Sequence, residues 1–334
     1  MQSTANRLAV GPLSPEIVEV TYEYSHSTGV PLMFCVSRNQ IDYDSGYTGW
    51  RTKTFMKYLD TIAVANPNAR VRVCRDHCGP GFNGHYDMDS VFTTLRTDIE
   101  CGFDLEHIDL SRLQESKKEI QRRSILAVLY CRRLRSGIGI ELGTDDVGKP
   151  IVPSVKELER QLVAVREVLP VDFYVVSTGT WVLEDTQLGR LYPSSRTLRS
   201  VLNDNGLRLK EHNADYMEGD VLKRHASSVD AMNICPELGV VQTRAVLSLC
   251  AHHNIPTDAF RTEVCEGGSW KKWDYSTLQS SPSRQVEIAG HYHYDTKVGR
   301  ALLGRLWEKD GARNTVKSHI SKVIHRYAQV LYGA

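Results

Sequence analysis

The sequence predicts a (β/α)8 TIM barrel with a C-terminal helical extension, and three observations support that fold class. Short apolar runs alternate with longer amphipathic stretches, the pattern of a parallel sheet wrapped by helices. Eight such units precede residue 255, enough to close a barrel. The third observation is negative. An open doubly wound sheet usually carries a Gly-rich phosphate fingerprint after its first strand, and GPLSP (11–15) is not one.

The first strand falls near Leu8 to Val10. Ser14 and Pro15 open a helix that Gly29 closes, because Ser and Pro suit a helix start and Gly suits the residue past its end. PLMFCVS (31–37) is the second strand, and a helix from about Arg51 leads to the third, VRVCRD (71–76). A helix closed by Gly102 precedes DLEHIDL (104–110), and one over Ser124 to Leu134, closed by Gly137, precedes IGIELG (138–143). The sixth unit runs from a helix over Val155 to Val168 into DFYVVST (172–178). Gly206 ends the helix before LRLKEH (207–212), and the eighth strand, DAMNIC (230–235), passes through Pro236 into a helix reaching Cys250. Residues 1–254 thus form the barrel. Residues 255–334 hold Trp-, Gly- and Ser-rich loop material, the cluster HYHYD (291–295), and a last helix with Val316, Ile320, Val323, Tyr327 and Leu331 at helical spacing. That helix is expected to pack on the barrel.

Composition narrows the function classes. With 41% hydrophobic and 24% charged residues the chain can bury a large core. Lys plus Arg (41) balances Asp plus Glu (40), so no global field points to nucleic acid or an anionic membrane. The N-terminal stretch reads as neither a leader nor a lipidation signal, and no apolar run approaches ~18 residues, which predicts a cytoplasmic protein. The eight cysteines are scattered, and Cys35, Cys74 and Cys235 lie in apolar strand-like runs, as reduced buried thiols do. Cys74 and Cys78 flank His77, but no second Cys pair has zinc-finger spacing.

In a barrel of this kind the active site lies where strands run into the following loops. Polar residues gather there: Asp76 and His77 on the third strand, His107 and Asp109 on the fourth, Glu141 on the fifth, Thr178 and Thr180 on the sixth, and Glu211, His212 and Asn213 on the seventh. Buried carboxylates and imidazoles cost several kcal/mol unless paired or metal-bound, so their convergence demands an explanation. A network of buried hydrogen bonds would suffice for any one of them. For the set, two imidazoles and a carboxylate suit Zn²⁺ or a similar divalent ion with a position left open for substrate. His77, Glu141 and His212 are the expected ligands, because they lie on alternate strands that can face one layer. Asp76, turned elsewhere by the two-residue strand period, is the candidate acid/base. Asp109 joins it as a catalytic candidate, and His107 or Asp109 could equally orient a ligand.

These segments also carry a family resemblance. SRNQIDYDSGYTG (37–49), DHCGP (76–80), HIDLS (107–111), Glu141, EHNADY (211–216) and CPELGVVQTRA (235–245) are similar, in order and spacing over about residues 10–250, to the motif series of the Z-type, so-called non-catalytic subunits of class II tagatose-bisphosphate aldolase. The DHC, HIDLS and ELG elements more distantly resemble class II fructose-bisphosphate aldolases. That resemblance implies Asp76 as proton donor and His77 and His212 as ligands. The fructose-bisphosphate enzymes draw a third ligand from a His on the sixth strand, whereas this chain has STGTWV (177–182), so Glu141 or a water completes the shell. They also cradle phosphate in Gly-rich loops after strands seven and eight, where this chain offers EHNADY and CPELG.

The expected function is therefore a metal-dependent class II-type aldolase acting through an enediolate on a sugar or ketose, with one anionic group met by Arg38, Lys210, Arg244 or His291. Asn39, Gln40, Tyr47 and Thr48 of the loop after strand two are expected to bind substrate hydroxyls, with Lys210, Asn213 and Arg244 completing the binding set. Two alternatives share the scaffold: a stabilising subunit of a separate class II tagatose-bisphosphate aldolase, and a metal-dependent sugar isomerase or epimerase. The expected partners are a small sugar or sugar phosphate and either further copies of the chain or an aldolase subunit.

Overall fold

A computed structural model describes residues 6–144, 154–164, 168, 170–273 and 281–333. Eight parallel strands close into a barrel: β1 (Leu8–Val10), β2 (Leu32–Ser37), β3 (Val71–Cys78), β4 (Leu105–Ile108), β5 (Gly139–Thr144), β6 (Phe173–Val176), β9 (Arg208–Glu211) and β10 (Ala231–Ile234), with β10 pairing back onto β1. The two numbers skipped belong to a small antiparallel hairpin, β7 (Val182–Leu183) and β8 (Thr186–Gln187), inserted after β6. This is the (β/α)8 barrel that the alternating pattern predicts.

The helices α1 (Pro15–Thr28), α2 (Thr52–Ala65), α3 (Met88–Cys101), α4 (Lys117–Leu134), α5 (Val155–Ala164), α6 (Ser195–Asp204), α7 (Gly219–Ala226) and α8 (Pro236–His252) follow the strands. The cap chemistry read from the sequence holds at α1, where Ser14 Oγ accepts from the Ile17 N–H at 3.3 Å and Gly29 takes φ 71°. α4 starts seven residues earlier than the apolar periodicity indicates. Its first turns, KKEIQRR, are polar, and the start is set by Ser116, whose hydroxyl accepts from the Glu119 N–H. The expected continuation of α5 through 165–167 lies outside the described residues, as does loop material at 274–280.

Two apolar layers result. Ala9, Met33, Cys35, Cys74, Leu105, Phe173 and Ala231 fill the barrel interior, while the larger core lies between the sheet and the helices. After α8 come α9 (Asp258–Gly267), α10 (Pro282–Ala289), α11 (Lys297–Trp307) and α12 (Ala312–Tyr332). α12 buries Val316, Ile320, Val323, Tyr327 and Leu331 against α1 and α8. Its last turn reaches the start of the barrel, where the Tyr332 hydroxyl accepts from the Leu8 N–H at 3.0 Å and donates to the Pro31 carbonyl at 2.7 Å. Among the described residues no helix is long and apolar enough to cross a membrane.

Candidate metal centre

Strand period decides which side chains enter the mouth, and a bulge at the end of β3 adds one. Cys74 faces the interior, so Asp76 does too. The register against β4 shifts between Arg75 and Cys78, and His77 there adopts φ 46°, a left-handed backbone uncommon for a non-glycine residue. The bulge turns His77 inward beside its neighbour. Asp76 and His77 therefore share one cluster, contrary to the expectation that the two-residue period points them apart. His107, two residues beyond inward-facing Leu105, and His212, two residues beyond inward-facing Lys210, complete the group. One donor atom from each of Asp76, His77, His107 and His212 lies within 4.8 Å of all the others.

Hydrogen bonds orient the rings. Asp109 Oδ2 lies 2.7 Å from His77 Nδ1 and also accepts from Thr144 Oγ1 at 2.8 Å, while Oδ1 accepts from the Ser111 N–H. Burial raises the Asp109 carboxyl, but His77, His107 and the Ser111 hydrogen bond outweigh it and hold the group below the usual range. An ionised carboxylate only accepts, so His77 carries its proton on Nδ1 and presents the Nε2 lone pair to the mouth. That Nε2 lies 3.1 Å from His212 Nδ1. His107 Nε2 donates to the Gly143 carbonyl at 3.0 Å, leaving Nδ1 as an acceptor, 3.2 Å from the His77 N–H and 3.6 Å from Asp76 Oδ1. Phe82 stacks on the His77 ring at 5.0 Å, and Arg112 covers Phe82 at 3.8 Å. For Asp76, burial acts upward, yet His77, His212 and His107 in their protonated forms hold it well below the carboxylate range.

The donor set fits a divalent ion. Two ring nitrogens 3.1 Å apart must share a proton or a cation, and nitrogens each ~2.1 Å from one ion are separated by ~3–3.4 Å. Both His77 and His107 tie their other nitrogen to an oxygen acceptor, the arrangement usual for metal-binding imidazoles.

The other expected site residues are distributed more widely. Glu141 is not in the four-residue group. Its Oε1 accepts from Lys210 Nζ at 2.6 Å inside the barrel, where both side chains are fully buried. Burial acts against the charge on Lys210, but Cys74, Glu141 and Asp76 outweigh it and hold the ammonium above its ordinary value. Asp109 lies behind His77 and reaches the mouth through it. Asn39 is exposed, and its carbonyl accepts from the Tyr47 N–H. Gln40 is buried, donating to Cys235 Sγ at 3.1 Å and accepting from the Ser37 N–H. Thr48 donates to the Gln40 carbonyl at 2.7 Å, and Tyr47 packs edge-on against Tyr292 at 4.7 Å. Gly46 closes this loop because a Cβ there would meet the Gln40 carbonyl at 2.0 Å. Tyr47, Thr48 and His291 line a cavity of about 400 Å³ between the loop and α11. Arg38 is buried against Asp42 at 2.9 Å, and Arg244 is held by Asp185 at 2.6 Å and Glu287 at 3.0 Å. Burial pushes the His291 imidazole down to about 3. Asn213 follows His212 with φ 53°, and the Thr180 hydroxyl donates to the His212 carbonyl at 2.8 Å. Asn233 escaped sequence reasoning, although its parity with Ala231 places it inward; its Nδ2 donates to Asp76 Oδ1 at 3.5 Å.

No protein-family model matches the chain. Among solved structures it is similar to a probable tagatose 6-phosphate kinase from Sinorhizobium meliloti, at TM-score 0.79 and 16% identity over 98% of this chain and 100% of that one. It is also similar to fructose-bisphosphate aldolase from Campylobacter jejuni, at TM-score 0.63 and 12% identity over 98% of this chain and 90% of that one. Likeness at these identities speaks for the shared barrel.

Proposed function

We propose that this protein is a metal-dependent class II-type aldolase, an aldehyde-lyase acting on a sugar or ketose. The observation that carries the reading is the convergence of Asp76, His77, His107 and His212 at the barrel mouth, with two rings already oriented by partners on their outer nitrogens. The similarity to a fructose-bisphosphate aldolase, and the motif resemblance to class II tagatose-bisphosphate aldolase subunits, support the same class. His77, His107 and His212 would hold the ion, which revises the expected ligand set by replacing Glu141 with His107. A divalent ion such as Zn²⁺ supplies Lewis-acid polarisation of a substrate carbonyl there.

Asp76 moves the proton. Held as a carboxylate among three imidazoles, it acts first as a base, taking the proton of the hydroxyl next to the bond that breaks, and returns it in the condensation direction. Asn233 steadies the same oxygen. Asp109 keeps His77 in its tautomer, and Thr144 keeps Asp109 in place. Lys210 neutralises Glu141 beneath the imidazoles. Asn39, exposed on the loop after β2, would meet substrate hydroxyls, as would Asn213, which follows His212.

The test is a pair of variants assayed for metal content by mass spectrometry and for ketose cleavage. His77→Ala is expected to lose the stoichiometric metal that the wild type binds. Asp76→Asn is expected to keep the metal and lose ~10²–10⁴-fold in turnover. A folded wild type that takes up no stoichiometric metal would sink the reading. Two folded variants that still support a separate aldolase, with no chemical step of their own changed, would establish the stabilising-subunit alternative.

A further inference from the structure

Barrel enzymes commonly hold a substrate phosphate with the loops after their last two strands and a helix N-terminus, where free N–H groups point at the anion. In this chain the donors at the start of the last barrel helix already have partners. α8 begins directly after β10, and its first residue is Pro236, which has no N–H. Asp215, from the loop after β9, fills the remaining positions: its Oδ1 accepts from the Cys235 N–H at 2.8 Å and from the Glu237 N–H at 3.0 Å. The Leu238 N–H goes to the Cys235 carbonyl at 3.2 Å. Three donors of the β9 loop are engaged as well: Ala214 N–H donates to the Asn233 carbonyl at 3.0 Å, Tyr216 N–H to Glu237 Oε2 at 2.7 Å and Met217 N–H to the Tyr327 hydroxyl at 3.0 Å.

A second observation shows that this carboxyl is more than an ordinary cap. Asp215 is 1% exposed, and its other oxygen, Oδ2, has no hydrogen-bond partner, an expensive arrangement for a helix cap. Three of the four basic side chains that the sequence singles out for an anion are also engaged internally, Arg38 by Asp42, Lys210 by Glu141 and Arg244 by Asp185, and the fourth, His291, is a buried imidazole that burial pushes down to about 3.

We infer that Asp215 is a specificity-determining residue: its carboxyl occupies the anion seat at the start of α8, so the substrate end lying against β9 and β10 bears a free hydroxyl and not a phosphate. The word substrate rests on the aldolase reading; the occupancy of the seat does not.

The experiment follows backbone amide NMR shifts of Cys235, Glu237 and Leu238 in the zinc-loaded full chain during titration with inorganic phosphate. The wild type is expected to show no saturable shift, whereas Asp215→Ser, which withdraws the acceptor oxygen from the seat, gains phosphate affinity by about tenfold or more. Saturable shifts at these amides in the wild type, or a folded D215S that gains nothing, would overturn the inference. Because loss of the cap can unfold α8, Asp215→Asn is the second variant. It keeps the acceptor oxygen, carries no charge at any pH and must exclude phosphate as the wild type does; shifts in D215N would make charge, not occupancy, the barrier and overturn the account. A ketohexose 1-phosphate that moves these amides more than the free ketohexose would also overturn it. Failure of the aldolase reading looks different, as absence of cleavage of any ketose with the phosphate titrations unchanged.

Discussion

A single backbone torsion sets the composition of the candidate metal centre. His77 reaches the mouth because the β3 bulge gives it φ 46°, and without that turn the two-residue period would send its ring outward and leave the cluster one imidazole short. Asp215 shows the same dependence on surroundings through its titration. Burial, and then Glu237, push its carboxyl from 3.8 up to about 8. A raised folded-state value means that the folded chain binds the proton more tightly than the unfolded chain. The associated stability is present below about 4 and is lost as pH rises through about 8. Urea unfolding across this window is expected to show a falling midpoint in the wild type and a flatter profile in Asp215→Asn. An equally steep decline in the variant would place the dependence on another group.

At the scale of elements, the β2 loop that frames the mouth is fastened by a buried ionic fork on the outer face of β3. Arg75 Nε donates to Asp98 Oδ2 at 2.6 Å and Nη2 to Oδ1 at 2.8 Å, binding β3 to α3, while Nη1 donates to the carbonyls of Val36 at 3.0 Å and Ile41 at 2.6 Å. Both ionic side chains are fully buried. Removing one partner leaves the other charge buried and uncompensated, so Asp98→Ala is expected to cost ~3–5 kcal/mol. Chemical denaturation measures this; a loss below about 1 kcal/mol would show that Arg75 finds water or another acceptor. The period-two and period-3.6 patterns of β3 and α3 are legible from sequence, but their apolar spacing says nothing about Arg75 reaching Asp98, a pairing across 23 residues.

For the whole molecule, the last helix bears on the site it does not belong to. Tyr327 of α12 donates from its hydroxyl to the Ala214 carbonyl at 2.6 Å and accepts from the Met217 N–H at 3.0 Å, so it grips both ends of the segment carrying Asp215. Tyr327→Phe strands these buried groups and is expected to cost about 1–3 kcal/mol in unfolding free energy. It should also raise amide hydrogen exchange at Ala214 to Met217 while leaving strands β1 to β3 protected. Uniform loss of protection would mean that α12 acts on the barrel as a unit and not on this loop.

The sequence by itself determined the barrel, because eight strand and helix periods with Ser, Pro and Gly at their ends are local signals that do not depend on distant partners. It also singled out Asp76, His77 and His212 as polar residues at strand ends. Only the tertiary structure decided how they are used. Strand parity placed Glu141 and His107 on the same inward face, and nothing in the chain order says that Lys210 would claim Glu141 and leave His107 to the cluster. The short elements α7, β7, β8 and α9 to α11 went unread for the same reason, since what fixes them is packing against the barrel and against one another. Local periodicity specifies elements, whereas a site is made by which side chains meet across strands, and those meetings depend on register, bulge and closure.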